Sequence, residues 1–217
     1  MSEIKNIIFD FGGVLYDIRY ENIADTFRSY GIQNFESHYT KAAQSSFIDD
    51  FEIGKITVPE FRNCIRTLAG KPLNNEQIDK AWNAILIDMP IHRFEFLCSL
   101  KEKYNLYLFS NTNQLNYDLF YRQLKTKFGA DLFAECFKKA YFSFLIGKKK
   151  PFPDAFRYVI EDAGIDPKET LFIDDSPQHI EGAKQAGLNA FHLKDSTDIT
   201  ELFDANWNLV EIINKNI

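Results

Sequence analysis

Cysteine is scarce in this chain: Cys64, Cys98 and Cys136 stand far apart, are odd in number and form no CxxC pair. A secreted disulfide framework is therefore excluded, and the pattern suits free thiols in a reducing compartment, so a cytoplasmic protein is expected. His38, His92, His179 and His192 form no HExxH or HxH pair, which removes the usual zinc signatures. No run approaches the ~18 consecutive apolar residues needed to cross a bilayer. Met1 to Asp10 also lacks the basic region, apolar stretch and cleavage site of a leader peptide, so no membrane partner is expected. Positive charge is in deficit, with 25 Lys and Arg against 31 Asp and Glu and a formal net charge of −6 among 217 residues. Binding dominated by phosphate-backbone neutralisation needs clustered cations, so nucleic acid is not an expected partner. Internal repeats and low-complexity tracts are missing as well.

What the chain has in quantity is apolar mass: 45% hydrophobic residues, 21 of them Phe, enough for a sizeable core. Ile7-Ile8-Phe9 is a short apolar run ending at Asp10 and Gly12-Gly13, the pattern of a strand buried on both faces and followed by a turn. The pattern recurs at Leu106 to Phe109 before Ser110-Asn111, at Leu171 to Ile173 before Asp174-Asp175, and at Ala190 to Leu193 before Lys194-Asp195, with Ala140 to Phe142 a weaker strand. Helical patterns over Leu115 to Phe128, Pro153 to Ala163 and Pro177 to Ala186 alternate with them. The class predicted is α/β with a Rossmann-like parallel sheet, whose ligands gather beyond the carboxyl ends of the strands.

The interval from about Tyr20 to Tyr104 breaks the alternation. Helices are predicted near Ile23 to Tyr30, Tyr39 to Phe51, Val58 to Leu68, Glu76 to Leu86 and Arg93 to Tyr104. The first four would form a small helical bundle inserted after the first strand. The expected division is a core of residues 1–17 and 91–217 and a cap of residues 18–90.

Several strands end in residues suited to a phosphate or a metal, and Lys148-Lys149-Lys150-Pro151 precedes the third of them. Phe9-Asp10-Phe11-Gly12-Gly13-Val14-Leu15, Phe109-Ser110-Asn111, Lys150-Pro151 and Ile173-Asp174-Asp175-Ser176 resemble, in order, the four motifs of the haloacid dehalogenase superfamily with a helical cap after the first motif. The resemblance spans essentially the whole chain. Phe109-Ser110-Asn111-Thr112-Asn113 and Ile180-Glu181-Gly182-Ala183 look most like bacterial sugar-1-phosphate phosphatases, with a more distant likeness to the phosphatase domain of soluble epoxide hydrolases.

The resemblance implies a Mg²⁺-dependent phosphatase acting on a small phosphate ester, with Asp10 as nucleophile. A carboxylate beside glycines can approach phosphorus closely and form an acyl phosphate, splitting a difficult hydrolysis into two steps. It further implies that Asp10, the Gly12 carbonyl and Asp175 ligate the metal, with Asp174 binding directly or through water. Ser110 and the Asn111 backbone would hold phosphoryl oxygens, and Lys150 would neutralise the phosphate and Asp10. Ser176 and Pro177 suit the N-cap and first position of the next helix. Lys55, in the segment Glu52 to Thr57, is a candidate cap contact to substrate.

One position departs from the pattern. Most phosphatases of the superfamily carry a second Asp two residues after the nucleophile as acid and base; here that residue is Gly12. A positioned acid–base group is typically worth ~10²–10⁴ in rate, so Gly12 is expected to bias the chain toward good leaving groups such as an anomeric hydroxyl. Asp17 lies further along, in the segment leading to the cap. Two readings stand beside the phosphatase: a 2-haloacid dehalogenase-type hydrolase, which needs no metal, and a phosphometabolite-binding protein without turnover.

Overall fold

The computed structural model describes residues 3–33, 35–37, 45–194 and 197–210. Five parallel strands form the main sheet in the order β5-β4-β1-β6-β7: β1 (Asn6–Phe9), β4 (Asn105–Ser110), β5 (Lys139–Phe142), β6 (Thr170–Asp174) and β7 (Asn189–His192). Beside β1, Ile7 lies level with Leu106 and Leu171, and Phe9 with Leu108 and Ile173. These side chains enter one core layer with α5 (Ile91–Leu100), α6 (Gln114–Phe128) and α7 (Leu132–Cys136). Ile8, Tyr107, Phe109 and Phe172 alternate to the other face, against α9 (Pro153–Ala163) and α10 (Pro177–Gln185). A sheet covered on both faces accounts for the unbroken apolar runs. Each large side chain so buried contributes roughly 1.5–3 kcal/mol relative to exposure.

The chain leaves β1 for a helical bundle of α1 (Glu21–Ser29), α2 (Ser46–Glu52), α3 (Val58–Ala69) and α4 (Asn75–Asn83). The bundle has its own apolar cluster, centred on Phe27, Phe51, Phe61 and Trp82. Its helix limits are written locally: Thr57 and Glu60 form a capping box at the start of α3, Gly70 ends that helix at φ 58°, and Asn74 with Gln77 caps α4. Leu115 of α6 also packs in this cluster, so a core helix helps to hold the bundle.

Several limits differ from expectation. The helix foreseen at Tyr39 to Phe51 is seen as α2, and its residues 39–44 lie outside the described residues. The pattern read as helix to Leu86 ends at Asn83, and β3 (Leu86–Asp88) pairs antiparallel with β2 (Asp17–Ile18). These two short strands are the outgoing and returning connections between sheet and bundle, and segments of two and three residues carry no periodicity to read. Between α6 and α9 the phenylalanines Phe133, Phe137 and Phe142 are buried, in a segment that contains α7 and the single-turn α8 (Ser143–Ile146).

Candidate active site

Asp10 directly follows β1, and its amide N–H continues the ladder to the Ile173 carbonyl at 2.9 Å. Ser110 ends β4 and Asp174 ends β6, so adjacent strands deliver their polar ends to one place, where the strand order departs to either side of β1. Oxygens of Asp10, Asp174 and Asp175 all lie within 4.8 Å of one another. Gly13 makes this convergence possible: its φ is 85°, and a Cβ there would stand 2.3 Å from Asp175 Oδ2.

Lys150 is the fully buried cation of the group. Its Nζ donates to Asp10 Oδ1 at 2.7 Å and to Asp174 Oδ2 at 2.6 Å. The rings of Phe109 and Phe172, one from each flanking strand, lie 5.5 and 5.3 Å from the ammonium. Asn111 holds this loop by its side chain, donating from Nδ2 to the Lys150 carbonyl and accepting the Lys150 amide at Oδ1, both at 2.9 Å. Both polar atoms of its side-chain amide are thereby engaged. Ser143, fully buried, ties the same region by accepting from the Thr112 amide and donating to the Thr112 carbonyl.

The electrostatics of the group are unequal. Burial pushes Asp10 up to about 8, with Asp174 and Asp175 adding to the rise and Lys150 opposing it. Burial would raise Asp174 too, but Lys150 and His179 outweigh it and hold that carboxylate well below its ordinary range. Both Asp174 oxygens are engaged: Oδ1 accepts from the Ser176 amide at 2.8 Å, Oδ2 from Lys150, and His179 Nδ1 lies 2.9 Å from each. Three carboxylates against one lysine leave excess negative charge and hard oxygen donors, which suits a divalent cation of the Mg²⁺ type.

A cavity of about 690 Å³ opens from this cluster toward the helical bundle. Gly12, Ser110, Asn111 and Lys150 line it from the sheet side, and Tyr20, Asp49, Glu52 and Ile53 from the bundle side. Burial raises the Tyr20 phenol above its ordinary range, and the charges of Glu52, Asp175, Asp10 and Asp174 add to the effect. Ile18 occupies the space in front of Gly12, where a Cβ would meet Ile18 Cδ1 at 3.1 Å. Asp17 is turned to Arg93, with Oδ1 accepting from Nη1 at 2.7 Å, and does not line the cavity.

Lys55 lies outside the cavity lining; its side chain is 66% exposed and pairs with Asp50 at 2.9 Å. The acid captures the cation from the same turn, and Asp49, Glu52 and Ile53 reach the cavity instead. Ser176 occupies the N-cap position of α10 and Pro177 its first turn, as expected; no side-chain cap bond forms there, and the Ser176 amide donates to Asp174 Oδ1 at 2.8 Å. Sequence reasoning also missed His179, Tyr20 and Lys149. For His179 the available signal was its place in the first turn of α10, five residues after Asp174.

A family model for haloacid dehalogenase-like hydrolases matches residues 4–187. The chain belongs to that family, an enzyme class built on this sheet and these strand ends. Among curated proteins it is 31% identical to a D-ribitol-5-phosphate phosphatase of Bacteroides thetaiotaomicron, over 90% of this chain and 94% of the relative. Among solved structures it resembles a haloacid dehalogenase family enzyme of the same organism, an aspartate-to-alanine mutant in complex with magnesium and inorganic phosphate. The TM-score is 0.86 at 38% identity, covering 93% of this chain and 99% of that one. An L-2-haloacid dehalogenase of Xanthobacter autotrophicus, at 23% identity, a TM-score of 0.59 and coverage of 88% of this chain and 77% of that one, shares the fold.

Proposed function

We propose that this hydrolase is a Mg²⁺-dependent phosphomonoesterase acting on a small sugar or polyol phosphate through an aspartyl-phosphate on Asp10. The observation that carries the reading is the cluster of buried Asp10, Asp174 and Lys150 with half-buried Asp175, joined through Lys150 to the lining of a cavity large enough for such an ester. A magnesium-phosphate structure and a ribitol-phosphate phosphatase among the relatives support it. We assign the chemistry to a core of residues 1–17 and 91–217 and substrate enclosure to a cap of residues 18–90.

Asp10 Oδ attacks phosphorus, the bond from phosphorus to the ester oxygen breaks, and the leaving oxygen takes its proton from water. Water then attacks the acyl phosphate, releasing phosphate and restoring the Asp10 carboxylate. Lys150 holds Asp10 in place and offsets charge on the phosphoryl oxygens, which Ser110 and the Asn111 backbone receive. Asp10, the Gly12 carbonyl and Asp175 fit direct metal ligation, while Asp174, already accepting from Lys150 and Ser176, fits an outer position. Bound Mg²⁺ supplies positive charge that favours the ionised Asp10 and screens the phosphate from it.

With Gly12 in place of an acid, two substrate types divide the prediction: sugar-1-phosphates, with an activated leaving group, and primary esters such as ribitol 5-phosphate. Phosphate release from both, with and without a chelator, tests the function, together with halide release from 2-haloacids. The proposal expects phosphate release that is lost on chelation. Halide release unaffected by chelator would instead establish the dehalogenase, and binding without any turnover the non-catalytic protein.

A further inference from the structure

Two of the three cysteines meet in the core domain, and neither lines the cavity. Cys98, on α5, and Cys136, the last residue of α7, stand 38 positions apart in sequence and place their Sγ atoms 3.8 Å from each other. Cys136 is buried, Cys98 is partly exposed, and both are free thiols. Lys101, which directly follows α5, donates from Nζ to the Glu135 carbonyl at 3.0 Å, a second contact that ties the end of α5 to α7. Cys64 lies apart from them, on α3 of the helical bundle. Among the described residues, no group of three or more potential metal ligands includes either thiol.

We propose that Cys98 and Cys136 are a redox-active dithiol that a hydroperoxide closes to an intramolecular disulfide joining α5 to α7. Exposure assigns the roles: Cys98 is the sulfur that peroxide reaches, and Cys136 is the sulfur that resolves the product. Burial pushes the Cys136 thiol up to about 12, with the Cys98 charge and the bond to Cys98 adding to the rise and Lys101 opposing it. Cys136 therefore stays a thiol while Cys98 reacts. Cys98 Sγ attacks one peroxide oxygen, the O–O bond breaks, and the departing hydroxide leaves with the Cys98 proton as water. The sulfur has given up two electrons and is now a sulfenic acid. Cys136 Sγ then attacks the Cys98 sulfur, the S–O bond breaks, and the hydroxide takes the Cys136 proton to form a second water. Two thiols and one peroxide thus give one disulfide and two waters. A thiol already at contact distance meets the sulfenic acid at high effective concentration, ahead of a second peroxide from solution. Disulfide sulfurs stand about 2.05 Å apart, so the pair has to close by roughly 1.8 Å. Cys136 ends a helix of only five residues and Phe137 follows it in extended conformation, so the approach disturbs no long helix.

The test exposes the folded protein to hydrogen peroxide, removes the peroxide with catalase, alkylates the remaining thiols and reads the products by mass spectrometry. The expected result is a mass lower by two hydrogens before alkylation, a covalent link between the Cys98 and Cys136 peptides, and loss of the two free thiols in step. Dithiothreitol should restore both. Cys64→Ser should keep the link, and Cys98→Ser should abolish it while leaving Cys136 unmodified. Cys136→Ser, shown by thermal melting to be folded, should accumulate a sulfenic acid on Cys98, trapped by dimedone at least ~tenfold more than in the parent protein. The parent protein and Cys64→Ser decide the matter even if the Cys136 variant fails to fold. Sulfinic acid on Cys98 of the parent protein with Cys136 still free would overturn the assignment. So would a link formed between two chains, or both thiols remaining free under peroxide that oxidises glutathione in the same tube.

Discussion

Gly12 and Ile18 give the most specific prediction about rate. A Cβ at position 12 would stand 3.1 Å from Ile18 Cδ1 and 3.5 Å from Cγ2, so Gly12→Asp alone pushes against a side chain anchored on β2. Overpacking of this kind typically costs about 1–3 kcal/mol. Ile18→Val deletes the Cδ1 atom and leaves the 3.5 Å neighbour, which is ordinary contact. A carboxyl group reaching the leaving oxygen is worth roughly 10²–10⁴ in rate when that oxygen needs a proton, and far less when it departs readily as an anion. The double variant Gly12→Asp/Ile18→Val is therefore expected to raise kcat/KM for methyl phosphate at least tenfold more than for p-nitrophenyl phosphate. Gly12→Asp alone should give a smaller gain and a lower melting temperature. Phosphate release and thermal melting on the four proteins measure both effects. Equal changes on the two esters, in a double variant that is folded, would refute the reasoning that Ile18 occupies the acid's place.

Lys150→Met would leave Asp10 and Asp174 buried without their cation. Breaking a buried pair in this way costs about 3–5 kcal/mol, to be read in urea unfolding without Mg²⁺, and phosphate release should fall with it. Trp82→Phe removes the indole donor to Asn113 Oδ1, a 3.1 Å bond between α4 and the residue capping α6, and should cost about 1–3 kcal/mol of stability. Burial pushes Asp198 up, but Thr200 and His92 hydrogen bonds and the Arg93 charge outweigh it and hold the carboxyl at about 2. A lowered folded value contributes stability that is complete above the unfolded value of ~4 and is lost as pH falls toward 2. Asp198→Asn should flatten that part of the stability curve, and an unchanged acid limb would contradict the assignment.

The polar cluster at the strand ends was legible in the sequence because its residues sit at fixed places in local grammar. Asp10, Ser110 and Asp174 each follow an apolar run, and the sheet carries the ends of such runs to one edge. What lies opposite them was not legible. Lys149 pairs with Glu52 across 97 residues and Arg93 with Asp17 across 76, and no local pattern announces a partner so remote. Lys55 is the converse: its loop faces the core, yet its side chain pairs with Asp50, five residues earlier. Ile18 is read from sequence as one more apolar residue on a connection. Only its distance from Gly12 shows that an acid's place is filled rather than vacant.

In the proposed mechanism Asp10 carries the phosphoryl group. Acid quench during steady turnover with Mg²⁺, followed by mass spectrometry of the peptide containing Asp10, reads this covalent step. A phosphoryl adduct on Asp10, discharged by hydroxylamine, is predicted, with both adduct and phosphate release lost in Asp10→Asn. Phosphate release that persists in Asp10→Asn, with no adduct in the parent protein, would contradict it.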